Sequence, residues 1–302
     1  MEKPLVSVCM LTYNHEMFIR NAIDSVLMQK TDFPYELIIG EDCSTDKTRE
    51  IVKQLESKNP GIIIGQYPSL NRGMTNNFIS VKQAARGKYI AFCEGDDYWT
   101  DPLKLQKQIE FLESRPEYVA SGHESLTLND DGTKYKKQFY LDQTKKETLS
   151  TDDFLTNIPF HLSSLVINQH KFDFNNIKNT LLFRDHPLMI VLSYHGKIKI
   201  HHEVMSVYRK HQGGFSSNTT VKLVYQANLA TINGLQEFLP NFRIKANYMR
   251  GQWHLYYLLN NKQLNLLKKL ELYSKFFVFS FYRFPKNIKK IFSGFYRAFL
   301  ST

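Results

Sequence analysis

Three short stretches gather polar and acidic side chains where apolar runs end: Thr12-Tyr13-Asn14, Glu41-Asp42-Cys43-Ser44-Thr45-Asp46 and Glu94-Gly95-Asp96-Asp97-Tyr98-Trp99. The third is the sharpest, because three acids within four residues repel one another unless a cation or a positive ligand compensates them. Carboxylate oxygens suit Mg²⁺ or Mn²⁺, which keep some of their waters and bridge to phosphate oxygens. Helix capping is the plainer explanation for acids ahead of a helix. Thr100 and Asp101 already serve that purpose before Pro102, which leaves Asp96 and Asp97 for a metal and the diphosphate it would hold.

The surrounding pattern shows what must position these residues. Apolar, β-branched runs at 5–12, 35–40, 61–67 and 88–93 read as buried strands. Segments of helical spacing at 16–30, 46–58, 75–85 and 102–114 alternate with them, which implies crossovers and a mostly parallel, Rossmann-like α/β sheet. Ligands bind such sheets beyond the carboxyl ends of the strands, and all three polar stretches lie there. Later, two strand-like runs flank Asn129-Asp130-Asp131-Gly132 and predict a hairpin. A strand is expected over 161–167, a helix over 187–196, one or two strands over 197–211, and helices from 221 onward broken at Pro240 and Pro285. The expected division is a catalytic domain over 1–220 and a basic, aromatic-rich helical region over 221–302.

The phosphate-binding options narrow quickly. Neither GxxxxGK[ST] nor GxGxxG is present, and LTYNHEMFIR after the first strand has no glycine with which to cradle phosphate. A metal must then hold the diphosphate, as in an enzyme that uses a nucleotide sugar. The 302 residues have a globular balance of apolar and charged side chains, which excludes disordered and disulfide-stapled classes. Three scattered cysteines, Cys9, Cys43 and Cys93, point to a reducing compartment and to no zinc site. The first residues run straight into a strand, and no apolar run reaches the roughly 18–20 residues that span a bilayer. The expectation is a cytoplasmic protein.

VSVCMLTYN, ELIIGEDCSTDKT and ARGKYIAFCEGDDYW resemble the motifs of family 2 glycosyltransferases with the GT-A fold. RDHPLMIVLSYHGKI and VYRKHQGGFS resemble that family's later motifs, so the likeness runs over about residues 4–216 in the family's order. The resemblance implies an inverting, metal-dependent transfer of sugar from a nucleoside-diphosphate sugar, UDP-linked by preference, to a glycan or lipid-linked acceptor in surface polysaccharide synthesis. It implies that Tyr13 stacks on the donor's base, that Thr12 and Asn14 line that pocket, and that Asp42 binds the base. Asp96 would meet the ribose or the metal, Asp97 would be the principal metal ligand, and Asp185 would be the general base. Arg209 or His211 would contact the diphosphate or complete the metal shell; Arg72 would reach the nucleotide, and His161 would lie near the acceptor. Glu41 and Glu94 stand where Asp is commoner, and Cys43 replaces a usual Gly, so that turn is expected to avoid positive φ. The spacing of a processive polymerase's QxxRW is missing, which favours one sugar per encounter. A degenerate member that binds nucleotide sugar or glycan as a membrane scaffold, without turnover, is the alternative reading.

Charge is uneven. Residues 241–302 hold 12 Lys and Arg against one acid, Glu271, whereas the first 240 hold 27 against 28. Ile288, Ile291, Phe292, Phe295 and Phe299 form one stripe with Lys286, Lys289, Lys290 and Arg297 off it. Such a helix suits an anionic bilayer surface, or packing onto the catalytic domain or a second subunit. Nucleic acid is not an expected partner, because the aromatics lie on an apolar stripe and not on a mixed stacking surface.

Overall fold

The computed structural model describes residues 3–129, 135–138, 146–155, 160–172, 174, 184–214, 220–261 and 263–279. The chain divides into two compact units: Met1–Ser150 with Ile158–Asn176 and His195–His211, and Thr151–Asn157 with Ile177–Tyr194 and Gln212–Thr302.

The first unit is built on the predicted alternation. Strands β1 (Val6–Thr12), β2 (Tyr35–Glu41), β3 (Ile63–Gln66) and β4 (Tyr89–Phe92) alternate with helices α1 (Ile19–Leu27), α2 (Thr48–Lys58) and α3 (Gly73–Ala84). After β4 come β5 (Tyr98–Trp99), α4 (Lys104–Ser114), β6 (Tyr118–Leu128), β7 (Tyr135–Gln138), β8 (Thr148–Leu149), β9 (Val166–Asn168) and β10 (Lys197–Arg209). The ten strands among the described residues join one sheet in the order β3-β2-β1-β4-β9-β6-β10-β5, with β7 beside β6 and β8 beside β10. The first four pair in parallel, and β9 runs antiparallel between β4 and β6. Strands this continuous in Val, Ile and Leu form because helices cover both faces. Val8, Met10, Leu37, Ile39, Ala91 and Val166 are buried with Ile23, Val52 and Leu105 from the helices. Packing is close enough that a Cβ on Gly40 of β2 would come within 2.5 Å of Val81 on α3.

The hairpin is present, Leu128 pairing with Tyr135, although its turn residues lie outside the described set. The strand expected over 161–167 is shorter, because Leu162–Ser164 form a single 3₁₀ turn before β9. His161 starts that turn by accepting the Ser163 N–H on its ring nitrogen, a local bond that competes with the sheet ladder. The segment over 197–211 is one bulged strand, shifted in register between His201 and Ser206.

The second unit is helical: α5 (Thr151–Phe154), α6 (Asp185–His195, whose last residue falls in the first unit), α7 (Val221–Phe238), α8 (Arg243–Asn260) and α9 (Leu266–Phe279). Thr220 caps α7 by accepting the Leu223 N–H, and Pro240 lies in the break before α8, as the sequence expects. Leu255, Leu258, Leu272 and Phe276 form its small core, with Tyr225 stacked on Tyr257 at 4.3 Å. The apolar stripe expected beyond Pro285, with its flanking basic residues, and the break at Pro285 lie outside the described residues.

Candidate active site

The loops that follow β1 and β2 are laced into one platform. Asn14 sits at φ +55°, a left-handed conformation that Asn tolerates, and its Oδ1 accepts the Thr45 N–H at 2.8 Å. Its own N–H donates to Ser44 Oγ, His15 N–H to Thr48 Oγ1, and Glu16 N–H to Asp46 Oδ2. Tyr13, in the same loop, is 44% exposed. Asn14, expected in the donor pocket, spends its side chain on holding the loops together.

Next to this platform, Asp42 is buried, and its Oδ1 accepts the backbone N–H of Arg72 at 2.7 Å. Asp42 and Arg72 therefore meet, but through the Arg72 backbone, while its guanidinium reaches Ser80. Glu41 is buried in an ion pair with Arg49 and also accepts the Ser44 N–H. The expectation for Cys43 was incorrect: it adopts φ +60°. The turn is held by Glu41 and Asp42 on one side and by the Asn14 lacing on the other, so it keeps its left-handed geometry without a glycine.

The acidic turn after β4 completes the edge. Gly95 is required by close approach: a Cβ there would lie 2.7 Å from Thr12 Oγ1 and 3.0 Å from His15 Nδ1. Both atoms are buried without a hydrogen-bond partner among the described residues. Asp96 Oδ2 faces His211 Nε2 at 3.1 Å and His15 Nε2 at 3.9 Å, and one ligating atom from each of the three residues falls within 4.8 Å of the others. Burial opposes the charge on Asp96, yet the bond to His211 and the nearness of His15 hold its carboxyl below the usual range. For His15, burial outweighs Asp96 and lowers the imidazole, leaving a neutral ring with a lone pair to offer. Two imidazoles and a carboxylate at this spacing fit a divalent cation.

Asp97, expected as the principal metal ligand, makes other contacts. It is fully buried; its Oδ1 accepts the Arg209 N–H at 3.0 Å, and its Oδ2 lies 3.2 Å from His161 Nδ1. Burial, then the adjacent Asp96 charge, push its carboxyl well above the usual range. Asp97 thus braces the acidic turn against the end of β10, two residues before His211. Arg209 assists: its guanidinium donates to the Asp96 carbonyl at 2.7 Å and to Asn21 Oδ1, and stacks 4.3 Å from the Tyr98 ring. His161 packs against Tyr208 at 4.2 Å.

Asp185 opens α6 in the second unit, where its neighbour His186 bonds to the Phe154 carbonyl. His15 is the residue that sequence reasoning passed over. Its signal was present: a histidine three residues beyond a strand end, on the same sheet edge as the acids.

Residues 7–173 match the sequence profile of glycosyl transferase family 2, and the chain belongs to that family. An uncharacterized protein of Mycobacterium tuberculosis is 35% identical over 209 residues, 69% of this chain, which spans 60% of that relative's length. The Escherichia coli UDP-Glc:alpha-D-GlcNAc-diphosphoundecaprenol beta-1,3-glucosyltransferase WfaP is 25% identical over 236 residues, 77% of this chain and 88% of its own. Among solved structures, residues 1–349 of S. aureus TarS in complex with UDP-GlcNAc superpose with a TM-score of 0.65. That match covers 95% of this chain and 83% of TarS at 17% identity, and it shows the GT-A fold.

Proposed function

We propose that this protein is an inverting glycosyltransferase that moves a sugar from a UDP-linked donor to a hydroxyl of a glycan or lipid-linked acceptor in surface polysaccharide synthesis. The observation that carries the reading is Asp96 Oδ2 facing His211 Nε2 at 3.1 Å, beside an edge formed by Tyr13, Asp42 and the Asn14 lacing. The donors in the names of WfaP and of the TarS complex agree with a UDP-sugar.

In this reading Tyr13 offers its exposed ring to the base, and the Thr12 hydroxyl and Asp42 line the same pocket. Arg72 borders the nucleotide next to Asp42. A bound Mg²⁺ or Mn²⁺ would supply positive charge against the leaving diphosphate. Asp96 and His211 would hold that ion; Asp97 and Arg209 keep the two in register from behind. Asp185 is assigned the acceptor's proton on the order of the motifs: the hydroxyl oxygen forms the new bond to the sugar's anomeric carbon, the bond to the diphosphate breaks, and the proton passes to the carboxylate.

The membrane reading rests on charge and exposure. No helix among the described residues is long and apolar enough to cross a bilayer. On α9, Leu266, Leu267, Leu270 and Val278 are exposed, with Lys268, Lys269 and Lys275 on the same helix. Together with the excess of Lys and Arg in the sequence over 286–302, this suits an anionic bilayer surface.

The experiment is a thermal-shift screen of UDP-, GDP-, dTDP- and CDP-sugars with and without Mn²⁺, followed by a hydrolysis assay of whichever donor shifts. Stabilisation that needs both the metal and a UDP-sugar, with release of UDP, is the expected result. Metal-dependent binding without any release under acceptor-loaded conditions would leave the scaffold alternative in its place.

A further inference from the structure

We infer that His15 is a third metal ligand, and that the site is built for Mn²⁺ in preference to Mg²⁺. The inference rests on the metal-assisted reading above and adds a residue and a selectivity to it.

His15 lies on the loop after β1, about eighty residues before the acidic turn, and yet its Nε2 stands 3.9 Å from Asp96 Oδ2. Ligand atoms that share one ion at bond lengths of about 2.1 Å are separated by about 3.0 Å at right angles and about 4.2 Å when opposite. The Asp96–His211 spacing of 3.1 Å and the Asp96–His15 spacing of 3.9 Å both fall in that interval.

The imidazole is held in place before any ion arrives. His15 N–H donates to Thr48 Oγ1, and its carbonyl accepts from Phe18 and Ile19 at the start of α1. The Phe18 ring lies 4.7 Å from the His211 ring and 6.5 Å from the His15 ring, so one aromatic side chain orients both imidazoles. Gly95 leaves the room on the other side, where an added Cβ would press on His15 Nδ1. A histidine that merely filled space would need neither the opening at Gly95 nor this backbone anchoring.

The donor set then decides the ion. Mg²⁺ is a hard cation that prefers oxygen and gives up water reluctantly, whereas imidazole nitrogen suits first-row transition ions. Two nitrogens and one carboxylate oxygen, with positions left for water or diphosphate oxygens, therefore favour Mn²⁺. Affinity should rise further from Mn²⁺ to Co²⁺.

The test uses the full chain with Mn²⁺ alone. Electron spin echo measurements on bound Mn²⁺ should show modulation from two imidazole nitrogens in the wild type and from one in His15→Ala or in His211→Ala. Titrations followed by the free-ion signal should give Mn²⁺ binding at least about tenfold tighter than Mg²⁺, and His15→Gln should reduce that preference by about tenfold. The wild-type spectrum decides even if a variant fails to fold. Bound Mn²⁺ with one imidazole or none would overturn the role of His15 while leaving metal-assisted transfer standing. Equal affinity for the two ions would overturn the selectivity. No binding of Mn²⁺, with or without UDP present, would remove the metal reading itself together with this inference.

Discussion

Replacing Lys104 by Met should stabilise the protein at mild acidity and lose that advantage as pH rises. Lys104, in the first turn of α4, is fully buried, its ammonium 4.1 Å from the centre of the Trp99 ring and donating to Gln108 Oε1 at 2.8 Å. Burial lowers its pKa from 10.5 to about 7, an effect that the nearby Cys93 and Asp101 only partly oppose. The unfolded chain keeps the ordinary value, so between these two pH values it binds a proton that the native state lacks, and native stability rises with pH. A gap of this size corresponds to about 5 kcal/mol below pH 7, shrinking to about 1 kcal/mol at pH 10. Methionine fills similar volume without a charge, but it strands Gln108 Oε1, which costs about 1–3 kcal/mol at every pH. The net expectation is a variant more stable by about 2–4 kcal/mol at pH 6 and slightly less stable than wild type at pH 10. Urea unfolding at four or five pH values would follow the crossover. A difference that stays constant from pH 6 to pH 9 would refute the reasoning, because Lys104 would then hold the same charge in both states.

Four further substitutions concern the site. Gly95→Ala drives a methyl into Thr12 and His15, so it should cost about 1–3 kcal/mol in urea unfolding and weaken Mn²⁺ binding measured by calorimetry. Asp97→Asn should keep the fold and bind Mn²⁺ nearly as well as wild type, since a neutral amide still accepts the Arg209 N–H. Asp96→Asn should weaken that binding by about tenfold or more; a loss of the same size in Asp97→Asn would restore Asp97 as a ligand. Asp185→Asn should abolish sugar transfer in a purified assay and leave metal-dependent donor binding intact, and retained turnover would remove the assigned base.

Much of the fold was readable because parallel strands must be apolar on both faces: the runs at 5–12, 35–40 and 88–93 have no other stable home. β5, two residues long, and the α5 turn left no periodic trace to read. Within the site, the strand-end position of Asp96 was legible, whereas its division of labour with Asp97 was not. Adjacent residues on a turn point in different directions, and only the arrival of Arg209 from a strand more than a hundred residues away shows which carboxylate is buried. The loop contact of Asn14 was hidden for a similar reason. A polar residue at a strand end can face a ligand or a neighbouring loop, and its partner Thr45 lies thirty-one residues on. Cys43 shows that a well-bolted turn can hold a side chain in a conformation that composition alone assigns to glycine.

The recognised family segment stops at residue 173, but β10, which forms the neighbour of β6 in the sheet, begins at Lys197. A fragment trimmed to the recognised segment would keep the aspartate pair and shed both Arg209 and His211. It would also leave β6 with an open edge, inviting self-association. Anyone transplanting or truncating this protein should draw the boundary beyond His211, since the Asp96–His211 pair is completed only after the last strand has joined the sheet and not by the motifs that precede it.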